Sequence, residues 1–480
     1  MPATNIPILS DDTVIFRNMT GTSYINSNDI YVGNMIFTGN SALRFGNKLQ
    51  EPDVKTVYLD VSGGVYAQVS DIATDAVFGN SFDREENVNL DVTVGEINVG
   101  CEIYGNKTFE EHGSTTFYIS FDNARISNSI IKVNGDVNIG GGLTVNSYVN
   151  TRVAVDKMVI GGVLNFKLNG NTFSNFVFEE ATVLEVGGLV GGLNSADISD
   201  FTICNTKSFS SDIVFKNAAG TDYMFIGNIC DDGNSLQYNN SGVVNIIMDG
   251  EGTQRIFQLV GSANVASINV RQRGTISARN GKLIYDNSKI VADYRQAALS
   301  LEGGKFGAGH YDSSLTGTAY FKTANFVSGG FAYENFANHN TMATGAGDKI
   351  IIAETFTKAD GSGKISVDFS DANGNALNLE NYILADSADS VEYWAEILTA
   401  GELSGFNLDT LLSDGAYDAN SDFYAEGIEN GIAVFKWVKS LDSGYSLQVG
   451  FAQVPEPAAA VALGGLLALV YAGMRSKRRR

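Results

Sequence analysis

The chain of 480 residues carries 53 Gly and only 5 Pro, is 44% hydrophobic and 18% charged, and sets 32 basic against 54 acidic residues for a formal charge of −22. That balance excludes a disordered polyelectrolyte, because enough apolar side chains are present to offset chain entropy. A charge this negative also argues against a nucleic-acid partner, since neutralising phosphates needs clustered Lys and Arg that the body lacks.

From the first residues onward the sequence alternates as strands do. Thr13 to Phe16, Lys55 to Leu59, Ile130 to Val133, Asp136 to Ile139 and Val163 to Leu168 are short β-branched or aromatic runs closed by Gly, Asn or Asp. No proline falls between Asp53 and Val454, as a continuous β architecture requires. The expected class is all-β.

A degenerate motif recurs through this region, an apolar strand followed by Gly-Gly. It occurs at Gly63-Gly64, Gly140-Gly141-Gly142, Gly161-Gly162, Gly187-Gly188, Gly303-Gly304 and Gly329-Gly330. The steps from Gly141 to Gly161, from Gly161 to Gly187 and from Gly303 to Gly329 each suit one coil of a parallel β-helix (β-solenoid), with Gly supplying positive-φ corners. At ~22 residues per coil, a stalk over 1–350 would hold about 16 coils and measure roughly 75 Å at ~4.8 Å per rung. A β-sandwich series is the competing architecture.

Near residue 350 the Gly-Gly pairs stop and longer strands are expected, at Ile365 to Phe369, Tyr382 to Ala385, Ile432 to Val438 and Tyr445 to Phe451. Residues 351–453 therefore read as a C-terminal β cap, which a solenoid needs to cover its last apolar rung. A small ligand-binding β-domain is the sharper alternative for the same segment.

Little in this body points to chemistry. Cys101, Cys204 and Cys230 form no C-x-x-C pair; buried strand positions or a Cys204–Cys230 bridge account for them. His112, His310 and His339 are isolated, and Gly361-Ser362-Gly363-Lys364 fails the phosphate-loop pattern at both ends. No cofactor is expected, and Asp371 to Asn375 and Asp418 to Asp422 read as Asx turns, although an acidic exterior leaves room for weak surface calcium. A β-helix glycosidase would need two carboxylates on neighbouring coils, for which Asp197 with Asp200, Asp231 with Asp232, and Glu179 with Glu180 are candidates by adjacency alone. A lyase would want a basic residue beside acids. Arg271 to Arg273 is the one dense basic spot in the coils and reads as an exposed turn.

The C-terminal segment from Val454 onward is the most specific part. Val454-Pro455-Glu456-Pro457 leads into the uncharged stretch Ala458 to Met474 and then into Arg475, Lys477, Arg478, Arg479 and Arg480. As a helix the apolar stretch would measure about 26 Å, enough for a bilayer core, and the basic flank places the tail inside and the acidic body outside. This arrangement resembles the PEP-CTERM sorting signal of bacteria. The resemblance implies an exosortase-type processing enzyme as partner, recognition at Pro455-Glu456-Pro457, a transient membrane anchor over 458–474 and removal of the tail on export. More loosely, the Gly-rich coils resemble β-helical adhesin passengers. An exported protein is expected to begin with a secretory signal, and Met1 to Phe16 has no basic or apolar leader segment, so a start upstream of Met1 is expected.

The function these features favour is an exported surface or extracellular-matrix protein with a passive structural or adhesive role, extracellular polysaccharide being the partner class left open. The alternative is a carbohydrate-active β-helix enzyme, a polysaccharide lyase or glycoside hydrolase.

Overall fold

The computed structural model describes the strand backbone within 13–133 and residues 136–454, apart from 147–149, 167–173, 193–200, 206–207, 232–241, 259–270, 291, 313–314, 337–346, 382–383 and 441–443. The described part is all-β. Twenty-seven strands form one sheet, nine a second and two a third, and nearly all pairs are parallel. Three single-turn 3-10 segments, Ala292–Tyr294, Leu379–Asn381 and Ala388–Ser390, are the helices among the described residues.

Three ladders recur in fixed order along the chain. Asp136–Ile139, Gly142–Asn146 and Asn150–Ala154 supply one segment to each. The next segments, 157–160, 163–166 and Ser174–Phe178, pair in parallel with those three in the same order. In the first ladder Val137, Met158, Leu184, Ile213, Ile246, Ile276, Leu299 and Ala324 are successive register partners, and all are buried. Period-2 alternation aims these residues inward, as the burial pattern of Asp136–Ile139 shows. Their side chains belong to one core that runs from Ile131 to Phe451.

The sequence step between those partners is uneven, short from Val137 to Met158 and half as long again from Ile213 to Ile246. A uniform repeat of ~22 residues is therefore too short for most rungs. Strand segments are fixed in length by the rung, whereas the turns between them lie outside the ladder and absorb extra residues. From Ile30 to Leu403 the first ladder makes 13 steps, or about 62 Å at ~4.8 Å each.

The Gly-Gly pairs mark one corner, between the first and second ladders. Register breaks fall between Ile160 and Val163 and between Leu301 and Lys305, across the glycine pairs of those strands. Gly303 and Gly329 have the expected positive φ, +145° and +95°. Gly187 does not, and its lack of a side chain matters for a different reason: a Cβ there would sit 2.6 Å from the Gly161 carbonyl oxygen of the preceding rung. Corner glycines are thus required by close backbone approach as well as by φ.

Parallel pairing continues past residue 350, where Lys349–Lys358 joins Thr318–Phe321. Direction reverses only near the end. Gly444–Ala452 lies antiparallel on Ala395–Ser404 and on Ile432–Ser440, and Tyr417–Asp418 pairs antiparallel with Ile432–Ser440. Of the strand expected over 382–385, the described residues contain one bridge, Ala385 to Ala452. Inside this end Trp437, fully buried, meets Phe406 edge-on at 5.6 Å, Phe423 at 5.8 Å and Tyr445 at 6.5 Å.

Candidate functional site

Outward positions of the second ladder carry the densest chemistry among the described residues. Met224, Arg255, Ile284, Gly307, Ala332, Asp368 and Glu426 are successive partners there. The middle of this face is apolar: Ile284 and Ala332 of the row cluster with Ile226 and Phe257, two positions along the strands of Met224 and Arg255, outside the main core. Gly309 lies against Ile284, so this part of the outer face is covered by chain rather than open.

Charges flank the apolar patch. Arg255 forks onto Asp222 (Nε to Oδ1, 2.8 Å; Nη2 to Oδ2, 2.8 Å) and reaches Glu334 with Nη1 at 2.6 Å, while Lys282 donates to the same Glu334 at 3.0 Å. Glu334 sits in the turn after strand Thr323–Ala332, which folds back over the ladder. One rung further on, Lys305 donates to Asp368 at 2.7 Å and to Glu426 at 2.6 Å, and the Tyr424 hydroxyl donates to Glu426 at 2.9 Å.

Electrostatics decide what the second cluster can do. Burial works against the charge on Lys305, but hydrogen bonds to Asp368 and Glu426 outweigh it and hold its pKa above the ordinary lysine value. Burial would likewise raise Asp368, yet the bonds from Lys305 and Ser370 pull it below the usual carboxylate range. Glycoside hydrolysis needs one carboxyl held protonated beside a carboxylate, and lyase chemistry needs a base that can shed its proton. Here the carboxylate is kept ionised and the amine kept charged, which favours a structural clamp over either reaction.

The carboxyls pushed upward lie elsewhere, each anchored to backbone. Burial takes Asp231 up to about 6, against the opposing N–H of Val244 and the Arg273 side chain. Arg273 donates to Asp231 from both its backbone N, at 2.7 Å, and its Nε, at 3.1 Å. The basic spot at 271–273 is therefore an anchor for a buried acid rather than an exposed turn. Burial takes Asp348 up to about 7; the N–H groups of Gly317 and Asn335 oppose the shift, and Glu334 and Asp286 add to it. Asp348 Oδ1 accepts from Gly317 N at 2.8 Å, and its buried Oδ2 has no hydrogen-bond partner among the described residues.

A measurable pH dependence follows. Because the folded-state pKa of Asp348 lies above its unfolded value of about 3.9, the native state binds more protons between pH ~4 and ~7, and stability falls as pH rises through that window. Asp348→Asn keeps the acceptor for Gly317 and cannot ionise. Unfolding followed from pH 4 to 7 should show a wild-type decline to which Asp348 contributes roughly 4 kcal/mol at most; the variant should lose that share and keep the slopes of Asp231, ending near pH 6, and of Asp286, which burial also raises.

The other expected sites are dispersed. A shallow cleft of about 220 Å³ lies between Asp386, Ser390, Glu392, Tyr393 and Phe451, below the usual size of a small-molecule pocket. Asp371 Oδ1 accepts the N–H groups of Asn373 and Asn375, and Asp418 Oδ1 that of Asn420, so both calcium-like segments fold as Asx turns. Glu179 pairs with Arg152, and Glu180 is exposed. His310 lies against Tyr311, with ring centroids 4.3 Å apart and planes tilted by 33°. His112, His339, Asp197, Asp200 and Asp232 lie outside the described residues. Val454 is exposed just beyond the last strand; Pro455, Glu456, Pro457, the stretch 458–474 and Arg475, Lys477, Arg478, Arg479 and Arg480 also lie outside them. Among the described residues no helix is long and apolar enough to cross a membrane.

Comparison with protein-family models, with curated proteins and with solved structures finds no match. Glu334, Asp348 and Lys305 carry no sequence signal, because their partners stand 79, 31 and 121 residues away (Arg255, Gly317 and Glu426) in no motif.

Proposed function

We propose that this chain is an exported bacterial surface or extracellular-matrix protein. Its body is a three-sided parallel β-solenoid with an antiparallel cap at the C-terminal end, and its role is structural or adhesive. Sandwich strands joined by hairpins would pair antiparallel, whereas these ladders are parallel through the body. The observation that carries the functional reading is where the charges go. Arg152 pairs with Glu179, Lys157 with Glu185, Lys216 with Asp249, Arg279 with Glu302 and Lys349 with Glu396, each across two consecutive rungs. Exposed pairs of this kind contribute about 0–1 kcal/mol apiece, so they fix register and keep the surface soluble. Side chains used this way favour a rigid scaffold over a reaction centre.

Sorting would use the C-terminal signal. Val454 is 56% exposed after the last strand, and Pro455-Glu456-Pro457 follow it directly in the sequence as the proposed recognition motif. Two measurements test the proposal. Purified protein incubated with plant, algal and mucin polysaccharides should show no turnover; turnover abolished by mutating one acidic pair would overturn the structural role in favour of an enzyme. In exosortase-competent cells the mature protein should lack Arg475 to Arg480, and a retained tail would contradict the sorting signal.

A further inference from the structure

We infer that Cys204 and Cys230 are an oxidation site, joining in an oxidising compartment as a disulfide that ties together two consecutive rungs of the third ladder. Strand Phe201–Asn205 pairs in parallel with Asn228–Cys230, and the register sets Cys204 directly beside Cys230. In-register parallel neighbours have Cα atoms about 4.8 Å apart, inside the roughly 4.4–6.8 Å range that disulfides span. Both residues project to the outer side of the ladder. The alternating residues Ile203 and Ile229 belong to the main core, whereas the cysteines form a separate small cluster with Val177 and Ile290. Both are present as thiols, 2% and 1% exposed. The step from Cys204 to Cys230 is one rung, so two of the three cysteines in the chain meet on the same row.

The chemistry is thiol–disulfide exchange. The Cys204 thiolate attacks a carrier disulfide, forming a mixed disulfide and releasing one carrier thiolate; the Cys230 thiolate then attacks the Cys204 sulfur and releases the other. Two thiol protons are lost, two electrons pass to the carrier, and the carrier leaves as a dithiol. Burial makes the exchange faster while the rungs are assembling than after they close, and shields the finished bond from reduction. The compartment rests on the export proposed above; the adjacency does not.

The test uses the full chain, refolded from denaturant in a glutathione redox buffer so that burial is no barrier, then unfolded and labelled with a maleimide for mass spectrometry. The expected result is loss of labelling at both Cys204 and Cys230, a linked peptide pair lighter by two hydrogens, and Cys101 labelled. Cys101→Ser should leave the bridge intact, and Cys204→Ser should restore labelling of Cys230. Labelling of both residues after oxidative refolding, or a bridge to Cys101 instead, would overturn the inference. A bridge formed in vitro, together with reduced thiols in protein taken from its own cells, would uphold the inference and count against export.

Discussion

Trp437→Ala should open the C-terminal end of the molecule, at a cost of roughly 3–5 kcal/mol. Trp437 is fully buried and joins Phe406, Phe423 and Tyr445 in the cluster that fills the space inside the last rungs. It sits on Ile432–Ser440, paired with Leu447 on one side and Tyr417 on the other, so removing the indole undercuts both antiparallel pairs at once. The cavity cannot collapse easily, because Phe406 is itself held against Phe356 at 4.8 Å. Hydrogen exchange at the Leu447 and Val449 amides reads the effect locally, which matters in a chain this long, where a single unfolding midpoint averages over regions. Trp437→Phe should be far milder, since the indole Nε1 has no hydrogen-bond partner to lose among the described residues. Equal loss of protection in both variants would show that the ring's volume is not what closes this end.

Gly329→Val should be strongly destabilising at a Gly-Gly corner. The residue has φ +95°, and a Cβ there would lie 2.2 Å from the Gly304 carbonyl oxygen of the neighbouring rung. Backbone strain of about 1–3 kcal/mol and overpacking of about 1–3 kcal/mol act together, because the atom in the way is backbone and cannot rotate aside. Gly361 is the matched control. It has φ +76° but nothing within 4 Å of its Cβ position, so Gly361→Ala should cost only about 1–2 kcal/mol of left-handed strain. Thermal unfolding of the two variants separates crowding from φ; similar losses would mean that the rungs do not approach as closely at the corner as the Gly304–Gly329 contact requires.

These two sites differ in how openly the sequence announces them. Gly-Gly pairs mark the first corner of several rungs because close approach there tolerates no Cβ, so Gly161, Gly187, Gly303 and Gly329 are visible as a repeat, whereas the same corner carries Lys216-Asn217 after Ser210–Phe215 and Asn280-Gly281 after Thr275–Ala278. The other corners carry no such marker. Turns of varying length stretch the step from that of Val137 to Met158 to that of Ile213 to Ile246, which hides the number of rungs. Alternation exposes the inward rows, for example Val137 and Ile139. It does not reveal the outward apolar patch at Ile226, Phe257 and Ile284, which reads as a continuous buried strand until the covering chain is in place. Arg273 stands out for its charge but reads as surface, because its partner Asp231 lies 42 residues away. The Lys305 clamp is invisible for the same reason, since ladders bring together residues that the sequence separates by whole rungs.

Distances along one outward row test the stacked-rung architecture most directly. Asn138, Val159, Glu185, Val214, Ile247, Ser277, Ser300 and Asn325 are successive register partners on the outer side of the first ladder. In a background with the three native cysteines replaced by Ser, spin labels at Asn325 paired with Glu185, Val159 or Asn138 span five, six and seven rungs. Pulsed electron-spin measurements should give about 24, about 29 and about 34 Å, rising by one rung of about 4.8 Å each time whatever the number of intervening residues. Distances that fail to rise by a constant step, as when Val159 and Asn325 lie in opposite layers of a sandwich, would contradict the parallel stack and the scaffold role built on it.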